Sequence, residues 1–148
     1  MLSTEELSQR AQAMLAARGG QAARAWPDPA AVLTLLDCDG PTGSLTFSCE
    51  THPWMANVLG MVHGGVTAAL LDTSMGITCA CQCGVAPPTI TLTLNYARPV
   101  PCEAVVHVRT RTVRIGRTTG QMAAELFLPS RPDEALVTAA GVFHIRRV

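Results

Sequence analysis

Between Glu50 and Arg98 the chain carries one charged side chain, Asp72. Its sequence neighbours Ala68, Ala69, Leu71, Met75 and Gly76 are apolar or small. A carboxylate in that company is costly unless it is paired, hydrogen-bonded or kept for chemistry. The chemistry open to it is attack on an electrophilic carbon or removal of a proton. A carboxylate solvated at a helix surface is the competing reading, and the apolar neighbours weigh against it. Upstream, His63-Gly64-Gly65 marks the start of the same helix, with Asn57 six residues before His63. The first N–H groups of a helix lack partners and carry the positive end of its dipole. Glycine lets a ligand approach that backbone closely. Such an end can hold the oxyanion that forms when a carbonyl is attacked, and the Asn57 amide is a candidate second donor. Taken alone, a glycine pair reads equally well as a tight turn.

Two residues near this cluster admit both a chemical and a plain reading. His63 can orient the loop or bond backbone, as a lone histidine at a helix start commonly does. Thr89 offers a hydroxyl that can hold a water, at the head of what reads as the central strand; most strand threonines hold none. Trp54 and Met55 precede the cluster and either line an apolar pocket or plug the edge of the core.

Cys79-Ala80-Cys81-Gln82-Cys83 invites a metal reading. On a helix, however, Cys79 and Cys83 share a face while Cys81 points away, so three thiolates cannot converge. No second cysteine pair exists for a zinc cluster, and small buried side chains are the better reading. No G-x-S triplet occurs in the chain, which sets aside the serine hydrolases whose oxyanion segment H-G-G resembles.

These residues need elements to hold them. Ser3-Thr4-Glu5-Glu6 has the capping-box pattern. Leu7, Ala11, Met14 and Leu15 then share one face of a helix that Gly19-Gly20 stops. Trp26-Pro27-Asp28-Pro29 reads as a loop. Ala31 to Asp37 and Ser44 to Thr51 read as antiparallel strands joined at Gly40-Pro41-Thr42-Gly43. The helix from Gly64 runs about seventeen residues, or roughly 25 Å. Beyond Pro88 the period becomes two, with Ile90, Leu92, Leu94 and Tyr96 on one face and Thr89, Thr91, Thr93 and Asn95 on the other. Strands follow at Val105 to Val113, Met122 to Leu128 and Val137 to Ile145. The pattern predicts an α+β fold: an antiparallel sheet of about six strands on one long central helix, with a short N-terminal helix. One helix cannot cover both faces of such a sheet, so oligomerisation is expected.

The chain has 148 residues, which fits one domain spanning 1–148, with 1–25 as N-terminal helix and linker. Eleven basic residues balance eleven acidic ones, and aromatics are few, so no nucleic-acid or anionic-membrane partner is expected. No apolar run is long enough for a membrane span. Six cysteines and an acidic-polar N-terminus without a signal-peptide pattern predict reduced thiols and a cytoplasmic setting.

The pattern Asn57, Gly60, His63, Gly64, Gly65 and Asp72 resembles the hotdog-fold acyl-CoA thioesterases, in particular their phenylacetyl-CoA (PaaI-type) branch. Thr89 to Pro99, Val113 to Arg117 and Ala140 to Phe143 resemble further strands and turns of that family. The resemblance implies hydrolysis of an acyl-CoA, with Gly64 N–H and Asn57 polarising the thioester carbonyl. It implies Asp72, from the other subunit, as nucleophile or general base, and Thr89 positioning a water. His63 and Gly65 would lie against the substrate, and Arg114 and Arg117 near the CoA phosphates. It further implies a homotetramer, a dimer of dimers with sites at the dimer interface, and no metal or other cofactor. The alternative is a non-catalytic acyl-CoA or acyl-carrier binding protein, which would not need the acid. Trp54, Met55, Met61 and Met75 suggest an apolar pocket for an aromatic or medium-chain acyl group.

Overall fold

The computed structural model describes residues 2–19 and 29–145. Gly20 and the loop residues Trp26, Pro27 and Asp28 lie outside them. Helix α1 (Thr4–Gly19) is followed by strands β1 (Leu33–Asp39) and β2 (Ser44–Glu50), then the long helix α2 (Gly64–Cys83). Four strands complete the chain: β3 (Thr89–Tyr96), β4 (Val105–Ile115), β5 (Thr119–Phe127) and β6 (Ala135–His144). Residues 31 and 32, expected to begin a strand, belong instead to a 3-10 turn, Pro29–Val32. The fixed φ of Pro29 favours such a turn.

The six strands form one antiparallel sheet in the order β1-β2-β4-β5-β6-β3. Helix α2 lies across its inner face, the hotdog architecture the sequence predicts. Leu70, Leu71, Met75 and Ile77 of α2 join Phe47, Val106, Val108, Met122, Leu126 and Phe143 of the strands in a single buried cluster. Fully burying each such side chain is worth about 1.5–3 kcal/mol. Two glycines let the helix sit this close. A Cβ at Gly120 would come within 2.6 Å of Cys79 Sγ, and one at Gly141 within 2.7 Å of the Phe143 ring.

The helix also carries buried hydroxyls, and all of them are satisfied. Ser74 Oγ donates to Leu70 O at 2.7 Å and Thr78 Oγ1 to Ser74 O at 2.9 Å. The Thr78 and Thr110 hydroxyl oxygens lie 2.7 Å apart, and Thr110 Oγ1 lies 3.0 Å from Leu45 O. With one hydrogen each, the two hydroxyls make two of these three contacts with Ser74 O, Leu45 O and each other at a time. This chain of hydroxyls ties α2 to β4 and β2. Thr110→Val removes one member and strands its partners, so a loss of about 1–3 kcal/mol is expected in denaturant unfolding. Loss below a few tenths would show the chain to be dispensable.

At the other end α1 closes the fold. Ser3 and Glu6 exchange the two bonds of a capping box, Glu6 N to Ser3 Oγ at 3.3 Å and Ser3 N to Glu6 Oε2 at 3.0 Å. Leu7 and Ala11 are fully buried, with Met14 and Leu15 packed against the core. Arg10 Nη1 donates to Cys81 O at 2.9 Å, placing a cation on the C-terminal end of α2. Gly40 lies directly beneath the Thr4 backbone, where any side chain would collide.

One strand departs from its expected place and pattern. Strand β3 is an edge of the sheet, paired with β6 alone, and not its centre. Its register with β6 shifts between Thr89 and Thr91. A residue inserted there reverses the alternation, because side chains flip face with every residue. Thr89 therefore lies opposite Phe143 on the helix side, as Leu92, Leu94 and Tyr96 lie opposite Gly141, Ala139 and Val137.

Candidate active site

That bulge assembles the first half of the site. Thr89 Oγ1 donates to Asp72 Oδ1 at 2.9 Å. Asp72 is half-buried on α2 within the protomer. The single Thr89 hydrogen is committed to the carboxylate, so toward a water the threonine oxygen acts as an acceptor. Among the described residues Asp72 Oδ2 has no hydrogen-bond partner, so it is the carboxylate oxygen open to a ligand.

The second half lies at the start of α2. A small hairpin, closed by the Ala56–Val62 bridge, delivers the chain to the helix. Asn57 shapes it: its Oδ1 accepts from Leu59 N at 2.8 Å and Met61 N at 3.3 Å, and Gly60 N donates to Asn57 O at 3.0 Å. Gly60 sits at φ 76°, a conformation that favours glycine. Because Oδ1 is occupied, the group of Asn57 available to a ligand is its Nδ2 donor. His63 is the N-cap of α2, its Nδ1 accepting from Gly65 N at 2.9 Å. Thr67 N takes the His63 carbonyl at 3.0 Å, the first turn of the helix. Among the described residues Gly64 N–H has no acceptor, so of the two glycines it is Gly64, and not Gly65, that offers a free donor at the helix start.

The remaining expected residues divide. Met55 and Met75 are fully buried in the core, whereas Trp54 is 52% and Met61 37% exposed. Of the four side chains suggested for an acyl pocket, the two exposed ones remain available to it. Arg114 pairs in register with Gln121, between the inward-facing Gly120 and Met122, and so sits on the outer face of the sheet, away from α2. Arg117 is exposed in the turn that follows. Within the protomer neither arginine is brought to Asp72 or Gly64.

Cys49, Cys79 and Cys81 are buried, while Cys38, Cys83 and Cys102 are half-buried. Cys79 and Cys83 share a helix face with their sulfurs 3.9 Å apart, as spacing predicts. Burial pushes the Cys49 thiol up to about 11 and the Cys79 and Cys81 thiols up to about 12, so at neutral pH these three keep their protons. Among the described residues no group of three His, Cys, Asp or Glu side chains is placed to hold a metal ion. No helix among them is long and apolar enough to cross a membrane.

Known proteins resemble this chain in family and in fold. The family model of the Thioesterase superfamily matches residues 59–135. The mouse acyl-coenzyme A thioesterase THEM4 is 33% identical over 93 residues, which make up 62% of this chain and 38% of that protein. The chain thus matches well under half the length of this curated relative. The E. coli PaaI protein of the phenylacetic acid degradation operon superposes with a TM-score of 0.80 at 19% identity, covering 99% of this chain and 97% of that one. A Streptococcus mutans protein solved bound to acetyl CoA superposes at 0.69 with 18% identity, over 77% of this chain and 88% of its own.

Proposed function

The chain belongs to the thioesterase superfamily, and from that premise we propose that it hydrolyses an acyl-CoA thioester to the free acid and CoA. The observation that carries the reading is the pairing of a polarising end with a carboxylate. Gly64 N–H and Asn57 Nδ2 receive the carbonyl oxygen as it becomes an oxyanion. Asp72 either attacks the carbonyl carbon or takes a proton from the attacking water, which Thr89 holds. The tetrahedral intermediate then collapses, the C–S bond breaks, and the CoA thiolate takes the proton that Asp72 removed from the water. On the direct-attack branch an acyl–Asp72 anhydride is left, and the water opens it to the free acid, restores the carboxylate and supplies the thiolate's proton. The acetyl CoA bound to the Streptococcus mutans relative supports the substrate class. A cytoplasmic setting belongs to the same proposal.

One protomer does not complete this site. Gly64 and Asp72 are eight residues apart on α2, about 12 Å along the axis and about 80° around it. Reacting groups need to lie within about 3–3.5 Å of their target. We assign the missing half to a second copy joined at β3, a reading that the character of this edge supports. This edge strand has no charge and no proline over Thr89–Tyr96, and Ile90 and Tyr96 are 53% and 50% exposed. The opposite edge, β1, carries Asp37, Asp39 and a bulge. Unblunted edges of the first kind pair with other chains. Side chains tie β3 to the helix at both ends, Thr89 to Asp72 and Tyr96 to Gly64. Antiparallel pairing of two β3 strands therefore sets the Gly64 end of one protomer beside the Asp72 end of its partner. We place two composite sites in each dimer and pair dimers into the tetramer.

The test is a panel of aromatic and medium-chain acyl-CoAs assayed for free thiol release, beside light scattering. Thiol release with a dimer or larger species is expected. Binding without release would establish the acyl-CoA binding protein instead, and a monodisperse monomer at micromolar concentration would sink the composite site.

A further inference from the structure

Two consecutive glycines at a helix start have more conformational freedom than any other pair of residues. A donor that stabilises a developing charge works because it is held in place before the charge appears. Something must therefore restrain Gly64 and Gly65. Resting on the thioesterase reading, we propose that Tyr96 is a positioning residue which, with His63, clamps the Gly64–Gly65 peptide at both ends and so fixes the neighbouring Gly64 N–H for the thioester oxygen.

The clamp is visible atom by atom. Tyr96 Oη donates to Gly64 O at 2.7 Å, and Gly65 N donates to His63 Nδ1 at 2.9 Å. These are the carbonyl and the N–H of one peptide unit. His63 N in turn donates to Met55 O at 2.7 Å, so the chain entering the helix is held as well. The peptide between, which bears Gly64 N–H, lies between two anchored units and has little room to rotate. Both anchors are themselves fixed. Tyr96 sits opposite Val137 in the β3–β6 ladder, and Met55 is fully buried.

The glycines fit the clamp sterically. A Cβ on Gly65 would lie 3.1 Å from His63 Nδ1, tight against the capping ring, and one on Gly64 would touch Tyr96 Oη at 3.5 Å. Burial pushes the Tyr96 phenol above its ordinary value, so at neutral pH it keeps the proton that it donates. The role also explains why a tyrosine hydroxyl on the edge strand turns toward a helix carbonyl instead of solvent.

Tyr96→Phe keeps the ring and deletes the hydroxyl, and two measurements read the result. Hydrogen exchange of the Gly65 amide, followed by NMR, is expected to accelerate about tenfold as the first turn loosens. With an acyl-CoA that the wild-type chain cleaves, kcat is expected to fall about 5–10-fold with KM nearly unchanged, the pattern of an interaction that matters in the transition state. The melting temperature should move little. Unchanged exchange at Gly65 overturns the clamp whatever the activity. Faster exchange with undiminished kcat overturns its catalytic consequence, and so does a fall in kcat that merely follows a fall in melting temperature. If the wild-type chain releases no thiol from any acyl-CoA, the thioesterase reading fails by itself, and exchange at Gly65 still decides the clamp.

Discussion

Asp72→Asn is expected to abolish thiol release, with turnover falling about 10²–10⁴-fold, while the protein stays folded. An amide is neither a useful base nor a nucleophile. Its oxygen nevertheless occupies the place of Oδ1, which accepts from Thr89 at 2.9 Å, so the link from α2 to β3 survives. That bond loses its charge assistance and weakens. Against this, a neutral amide is cheaper to desolvate when a partner subunit covers the site. The melting temperature should accordingly stay close to that of the wild type. Thermal melting and thiol release measured on the same preparation separate the roles. A structural Asp72 would lose both together, and full activity in a stable variant would remove this residue from the mechanism.

The parts of this molecule that were readable in advance are those written in short-range periodicity. The apolar run from Gly64 to Cys83 announces its helix, and a lone carboxylate in it stands out because desolvation makes it costly. The capping box at Ser3 and Glu6 closes within four residues and forms as its spacing requires. What escaped depends on partners distant in the chain. Counting by twos puts Thr89 on the face opposite Leu92, whereas the bulge that reverses this is defined by pairing with Phe143 and Val142 of β6. An inserted residue leaves no mark in an all-apolar and threonine run. Tyr96 escaped for the same reason: its partner, the Gly64 carbonyl, lies 32 residues away. Tyrosine placed in an exposed strand edge beside Asn95 and Ala97 was the available hint. The division of Met55 and Met75 from Trp54 and Met61 depends on which faces the finished core covers, and hydrophobicity cannot tell these side chains apart.

Asn57 calls for a different substitution, because its two ends do different things. Alanine would delete the Nδ2 donor and also the Oδ1 that organises Leu59 and Met61, confusing a loop effect with a catalytic one. Asn57→Asp keeps both acceptor bonds, removes the donor and sets a negative charge where the oxyanion must form. A fall in kcat of about 10²–10³-fold, the usual cost of one oxyanion donor, is expected with an intact fold. The same variant also tests the composite site. In a two-fold dimer each site takes Asn57 from one protomer and Asp72 from its partner. A mixed dimer of one Asn57→Asp and one Asp72→Asn protomer would thus hold one doubly damaged site and one site with both residues intact. Co-expression of the two inactive variants should therefore restore about a quarter of wild-type activity, since half the dimers are mixed and each has one working site of two. Each variant expressed alone should remain inactive. If co-expression restores nothing although mixed dimers are shown to form, Asn57 and Asp72 act within one protomer, and the pairing of two β3 edges is not what builds the site.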